Sequence, residues 1–95
     1  MGESMQNISS RLTRLDLRDQ IAALINEIAK IESEKITENA TVDEDLQMNS
    51  VAFVELQVAI EEEYHIEIDP IQLVEINRFG DIIDYIHSCI VNQGS

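Results

Sequence analysis

NSVAFVELQVAIEEEYHIEI, residues 49–68, is the stretch that decides the fold. Wound as a helix at roughly 100° per residue, it gathers Phe53, Leu56, Ile60 and Tyr64 on one side, with Ala59 beside them. That is the stripe by which a helix packs on a core. Val51, Val54 and Val58 gather on nearly the opposite side, with Glu55, Glu61 and Glu62 around them. Isolated exposed valines are ordinary on any protein. Three in register, rimmed by carboxylates and starting beside a serine, read as a docking strip. Asn49 or Ser50 supplies the N-cap, and the helix runs to about Tyr64.

The flanks read as further helices. From Asp16, apolar residues recur at Leu17, Ile21, Leu24, Ile25, Ile28 and Ile31, with Asp16 and Asp19 favouring the N-terminal end of a first helix. Residues 33–48 lack an apolar period and form a long acidic connection, anchored to the core by Val42 and Leu46. Asp69 and Pro70 supply a cap and a first-turn proline, so PIQLVEI, residues 70–76, is a short third helix. Asn77 can cap a fourth, whose apolar face is Phe79, Ile82, Ile83, Ile86, Cys89 and Ile90. With no strand pattern and no repeat, the expected fold is an all-α, four-helix bundle of three longer helices and one short third helix. Residues 15–91 form the domain. Residues 1–14 form a flexible N-terminal arm, although Ile8, Leu12 and Leu15 fall at helical spacing, and residues 92–95 form a tail.

Composition narrows the function. At 95 residues there is room for one domain with a modest core, and with two Phe, two Tyr and no Trp that core is built of Ile, Leu, Val and Ala. A large catalytic cleft is not expected. Nineteen acidic against six basic residues give a net charge of −13, which repels nucleic acid and anionic membranes. Eleven carboxylates and no basic residue lie between Lys35 and Arg78, so a positively charged protein is the natural partner. A single cysteine, Cys89, excludes an intramolecular disulfide and points to a reducing, cytoplasmic compartment. The first fifteen residues carry Arg11 and Arg14 without an apolar run, so neither a signal peptide nor a membrane span is expected.

Catalytic and metal chemistry find little support. Cys89 lies on the apolar face of the last helix with no local base, as an inert core thiol does. His65 and His87 are far apart and suit surface or capping positions. No triad can be assembled, and the run Glu61 to Glu63 reads as a solvated helix side. A calcium loop counted from Asp43 through Asp45 fails, with Gln47 fifth, Met48 in place of the sixth-position Gly and Val54 in place of the twelfth-position Glu.

Residues 49–68 closely resemble the second helix of acyl carrier proteins, whose hallmark is Asp-Ser-Leu followed by Val-Glu-Leu and an acidic run. FGDIIDYI, residues 79–86, is similar to the start of their last helix. The likeness spans about residues 17–91 and rests on Ser50, Val54-Glu55-Leu56, Glu61-Glu62-Glu63-Tyr64, Ile68 and Ile82-Ile83-Asp84-Tyr85-Ile86 together. It implies a carrier that is not itself an enzyme. A phosphopantetheinyl transferase acting with Mg²⁺ would transfer 4'-phosphopantetheine from coenzyme A to Ser50, and the arm would hold acyl or aminoacyl thioesters. Unsatisfied N–H groups and the positive dipole end at a helix start would favour the phosphodiester.

Recognition by the transferase and by loading and downstream synthase enzymes with basic surfaces would involve Asn49, Val51, Val54, Glu55, Val58, Glu61 and Glu62 of a monomeric carrier. Asn49 stands where many fatty-acid carriers have Asp, and Val51 where Leu is usual. Gln47-Met48 stands where peptidyl carriers usually have Gly-Gly. Peptidyl carriers frequently have a non-acidic residue at the Asn49 position, so among polyketide, nonribosomal peptide and fatty-acid biosynthesis the reading leans towards a freestanding carrier of the first two, although the missing Gly-Gly departs from the peptidyl pattern. The competing reading is an unmodified acidic helical module that docks a basic partner through the same strip, with Ser50 an ordinary N-cap.

Overall fold

Thr13 starts the first helix. Its hydroxyl accepts the Asp16 N–H at 3.1 Å, and the Asp16 carboxylate accepts the Thr13 N–H at 3.5 Å, a reciprocal capping box. The structure is a computed structural model that describes residues 13–94. The expected arm up to residue 12, with Ile8 and Leu12, lies outside the described residues. Arg14, which the apolar period alone assigns to that arm, is instead the first residue of α1, Arg14–Ala29, because Thr13 caps there.

Helix α1 buries Leu17, Ile21 and Ile25 and packs against both α2, Ser50–Tyr64, and α4, Phe79–Gly94. Helix α2 contributes Leu56 and Ile60, with Phe53 and Tyr64 half-buried at the edge. Helix α4 contributes Phe79, Ile82, Ile83 and Ile86. Each such side chain stabilises the fold by roughly 1.5–3 kcal/mol. The short α3, Pro70–Glu75, begins as its sequence dictates, with the Asp69 carboxylate accepting the Ile71 N–H at 3.0 Å and Leu73 turned into the core. The bundle of three longer helices and one short third helix is therefore as expected. The described chain has no strand beyond an isolated bridge between Thr41 and Arg78, and none of its helices is long and apolar enough to cross a membrane.

Two further boundaries, both of α4, differ from those the sequence suggests. Asn77 does not cap α4: its carbonyl accepts the Val42 N–H at 2.7 Å, and the first helical turn closes from Ile82 N–H to the Arg78 carbonyl. At the other end α4 continues to Gly94, through most of the expected tail. His65 does take a capping position, closing α2 in the left-handed conformation with φ of 56°.

The long connection is more firmly held than its composition suggests. Val42 and Leu46 are buried as anchors, and Ile36 and Ala40 join them. Three backbone bonds tie it to the start of α4: Gly80 N–H to Glu38 O at 2.9 Å, Phe79 N–H to Ala40 O at 2.9 Å, and Val42 N–H to Asn77 O at 2.7 Å. Arg14 grips Glu38 with both guanidinium NH₂ groups, at 2.9 and 2.8 Å. Its Nε donates to Asp84, and Nη2 also donates to the Gly80 carbonyl at 3.1 Å.

The hydrogen bonds from Arg14 hold the Glu38 carboxyl below its ordinary range. A carboxylate depressed in the folded state contributes stability that is complete above its unfolded pKa and is lost as pH falls through the folded value. The difference in melting temperature between wild type and Glu38→Gln should therefore be present at neutral pH and shrink as pH falls below the ordinary carboxylate range. Melts across that range check it, and a gap that persists in acid contradicts the assignment.

Candidate functional site

The start of α2 separates two roles that the sequence leaves joined. Asn49 is extended, with φ of −81° and ψ of 174°, and its Oδ1 accepts the Ala52 N–H at 2.8 Å. Asn49 is thus the N-cap, and Ser50 is the first helical residue. Ser50 is exposed, and among the described residues its hydroxyl has no hydrogen-bond partner. A primary alcohol at the positive end of a fifteen-residue helix, with the capping duty taken by its neighbour, is free to be esterified.

Two surfaces flank that hydroxyl. On one side lies an open groove of about 280 Å³, with Val42, Met48, Phe53, Val74 and Ile76 as its apolar lining and Asp43, Asn49 and Asn77 on its polar edge. On the other, Val51 and Val54 with the stem of Glu55 form a shallow apolar depression. The two-faced character of α2 is plain in the exposures: Val51, Val54 and Val58 are 67%, 56% and 45% exposed, whereas Leu56 and Ile60 are fully buried. Glu55 and Glu62 are exposed beside the valines.

Glu61 differs from the other residues of the strip. It is half-buried, and its carboxylate accepts the Ile68 N–H at 2.9 Å, tying α2 to the segment that leads into α3. Ile71 and Val74 on α3 are 70% and 68% exposed, and Val74 also lines the groove beside Ser50. Sequence reasoning missed this second apolar ledge. The signal was available, because Ile71 and Val74 are three apart on a helix whose opposite side carries Leu73.

The remaining candidates lie elsewhere. Asp45 is engaged by Thr41, whose N–H it accepts at 2.9 Å and whose hydroxyl it accepts at 3.2 Å. Tyr64, pushed up to about 12 by burial and then by Glu63, sits at the far end of α2, about 21 Å along the helix axis from Ser50. Its hydroxyl donates to Gln20 Oε1 on α1. Cys89 is a half-buried free thiol on α4.

The profile of the family described as "Phosphopantetheine attachment site" matches residues 19–86. An acyl carrier protein of Buchnera aphidicola subsp. Schizaphis graminum is 38% identical over 73 residues, which cover 77% of this chain and 92% of that protein. An acyl carrier protein of Thermobifida fusca is 31% identical over 71 residues, covering 75% of this chain and 90% of its own.

Proposed function

The chain belongs to the acyl carrier protein family, and on that premise we propose that Ser50 Oγ bears the covalent 4'-phosphopantetheine this membership implies. The observation that carries the reading is the division of labour at the start of α2: Asn49 caps the helix, and the exposed Ser50 hydroxyl is left uncommitted. The local chemistry fits the group. Ser50 supplies the oxygen of a phosphodiester, the helix start supplies positive potential for its charge, and the adjoining groove supplies apolar surface. When bound, the arm supplies a thiol on which acyl or aminoacyl groups are held as thioesters. The chain's own residues present that arm and direct partners to it.

Partners are recognised, on this reading, by the face that surrounds Ser50. Val51, Val54 and Val58 form its apolar centre, Ile71 and Val74 extend it across the groove, and Glu55 and Glu62 give it a negative rim. A phosphopantetheinyl transferase and the enzymes that load and process the cargo would meet it with basic surfaces. Asn49 and Val51, in place of Asp and Leu, support service in polyketide or nonribosomal peptide biosynthesis over fatty-acid biosynthesis. The lone thiol of Cys89 supports a reducing, cytoplasmic setting.

Incubation of the wild-type chain with coenzyme A, Mg²⁺ and a broad-specificity transferase should add one phosphopantetheine, read by intact mass. Refusal by several transferases would leave only an acidic docking module using the same face. Asn49→Asp should keep the cap, since a carboxylate oxygen accepts the Ala52 N–H equally well. It should raise the initial rate with a fatty-acid-type transferase, by an increment that shrinks with added salt. An unchanged or lower rate removes Asn49 from recognition.

A further inference from the structure

The seam between the long connection and α4 ends beside Ser50. Its rungs pair Glu38 with Gly80, Ala40 with Phe79 and Val42 with Asn77. The last pair, Val42 and Asn77, also lines the groove next to Ser50. From there the Val42 carbonyl accepts the N–H of Met48 at 3.0 Å, two residues before Ser50. The chain entering α2 is therefore placed by the seam.

The other end of the seam is fastened by one side chain. Arg14 spans it, with Glu38 on the connection and the Gly80 carbonyl and Asp84 on α4. Among the described residues it is the only cation paired with carboxylates of other elements, since the remaining ion pair joins neighbours Arg18 and Asp19. Arg14 is the hydrogen-bonded counter-charge of both Glu38 and Asp84, and Arg18 adds a weaker attraction at Glu38, so removing Arg14 leaves two carboxylates that border the seam without their bridge. Gly80 is equally constrained, because a Cβ there would stand 2.5 Å from Glu38 Oε1 and 3.0 Å from Glu38 O.

We propose that Arg14 is a positioning residue for the modification of Ser50: by bridging Glu38, Gly80 and Asp84 it holds the seam, and through Val42 and Met48 it fixes the approach to α2 that a transferase recognises. The inference rests on Ser50 as the acceptor but makes a separate demand. It requires a residue on α1, outside the docking face, to affect recognition.

The test compares Arg14→Gln, Arg14→Lys and Gly80→Ala with Ile25→Val, a core change in α1 outside the seam. Amide exchange is read on each chain, and KM and kcat are read with the same transferase. In Arg14→Gln, exchange at Val42, Met48, Phe79 and Gly80 should quicken about tenfold or more, while Leu56 and Ile60 change by less than about twofold. KM for the carrier should rise about three- to tenfold, with kcat held within about twofold. Arg14→Lys should fall between, since an ammonium cannot reproduce the two-pronged grip on Glu38. Gly80→Ala should resemble Arg14→Gln because its methyl displaces Glu38. Ile25→Val should lower the melting temperature without moving KM.

Unchanged exchange at the seam, an unchanged KM, or an equal rise in Ile25→Val overturns the proposal. Should Arg14→Gln fail to fold, Arg14→Lys and Gly80→Ala decide it by the same readouts. Failure of the Ser50 assignment looks different, because wild type itself then gains no arm. The role in modification falls with it, whatever the exchange rates show.

Discussion

Ser50→Ala is expected to melt like wild type and to gain no phosphopantetheine from any transferase. The first half follows from the local structure. Asn49 caps α2 through Ala52, so the Ser50 side chain contributes no cap, and it is exposed with no hydrogen bond to lose. Alanine at the first helical position has the higher intrinsic propensity, and the net effect should stay within the roughly ±0.5 kcal/mol usual for surface sites. The second half is all or none, because the modification is an ester of one oxygen and the substitution removes that oxygen. Thermal melts and intact mass check both halves. A modified alanine variant means that another residue is the acceptor, and a strongly destabilised one means that Ser50 is structural.

Val54→Asp is expected to leave the bundle folded and to abolish productive docking. Val54 is 56% exposed, on the side of α2 away from the buried Leu56 and Ile60, so the unbound protein should tolerate the change within about ±0.5 kcal/mol. A docked partner would desolvate the position, which shares an apolar depression with Val51 and Ser50. An aspartate there becomes a buried charge without a counter-ion, a penalty of about several kcal/mol. Binding should fail chiefly through faster dissociation. Glu55→Lys provides the contrast, since reversing a rim charge should slow association with a basic surface and lose its effect in salt. Surface plasmon resonance with the transferase and a thermal melt separate these outcomes. If Val54→Asp unfolds the chain, the valine belongs to the core; if it binds like wild type, the docking face lies elsewhere.

The bundle was legible because its signals are local. The two stripes of α2 are set by spacing within one segment, and Asp69-Pro70 announces α3 without reference to the rest of the chain. What escaped depends on partners distant in sequence. Arg14 meets residues 24, 66 and 70 positions away, so nothing near it marks it as a clasp. Ile36 and Ala40 are buried because backbone bonds fold the connection onto residues 77–80, not because they follow a period. Asn77 is a good cap by type, yet its carbonyl is claimed by Val42 and the helix starts later.

The site was legible to a similar depth. Asn49 and Ser50 are both acceptable N-caps by chemistry, and only the bond from Ala52 to Asn49 shows that the serine is left free. The valine strip followed from helical geometry. Glu61 could not be distinguished from Glu62 as a rim carboxylate until the fold brought the Ile68 N–H to it.

The central claim is that one oxygen, Ser50 Oγ, carries the arm. Fragmentation mass spectrometry of the transferase-treated wild-type chain, resolving the modified peptide to a single residue, tests it most directly. The prediction is one phosphopantetheine, borne by Ser50 and by no other residue. The arm on Ser33 or Ser88, or a chain that gains no mass, would contradict it.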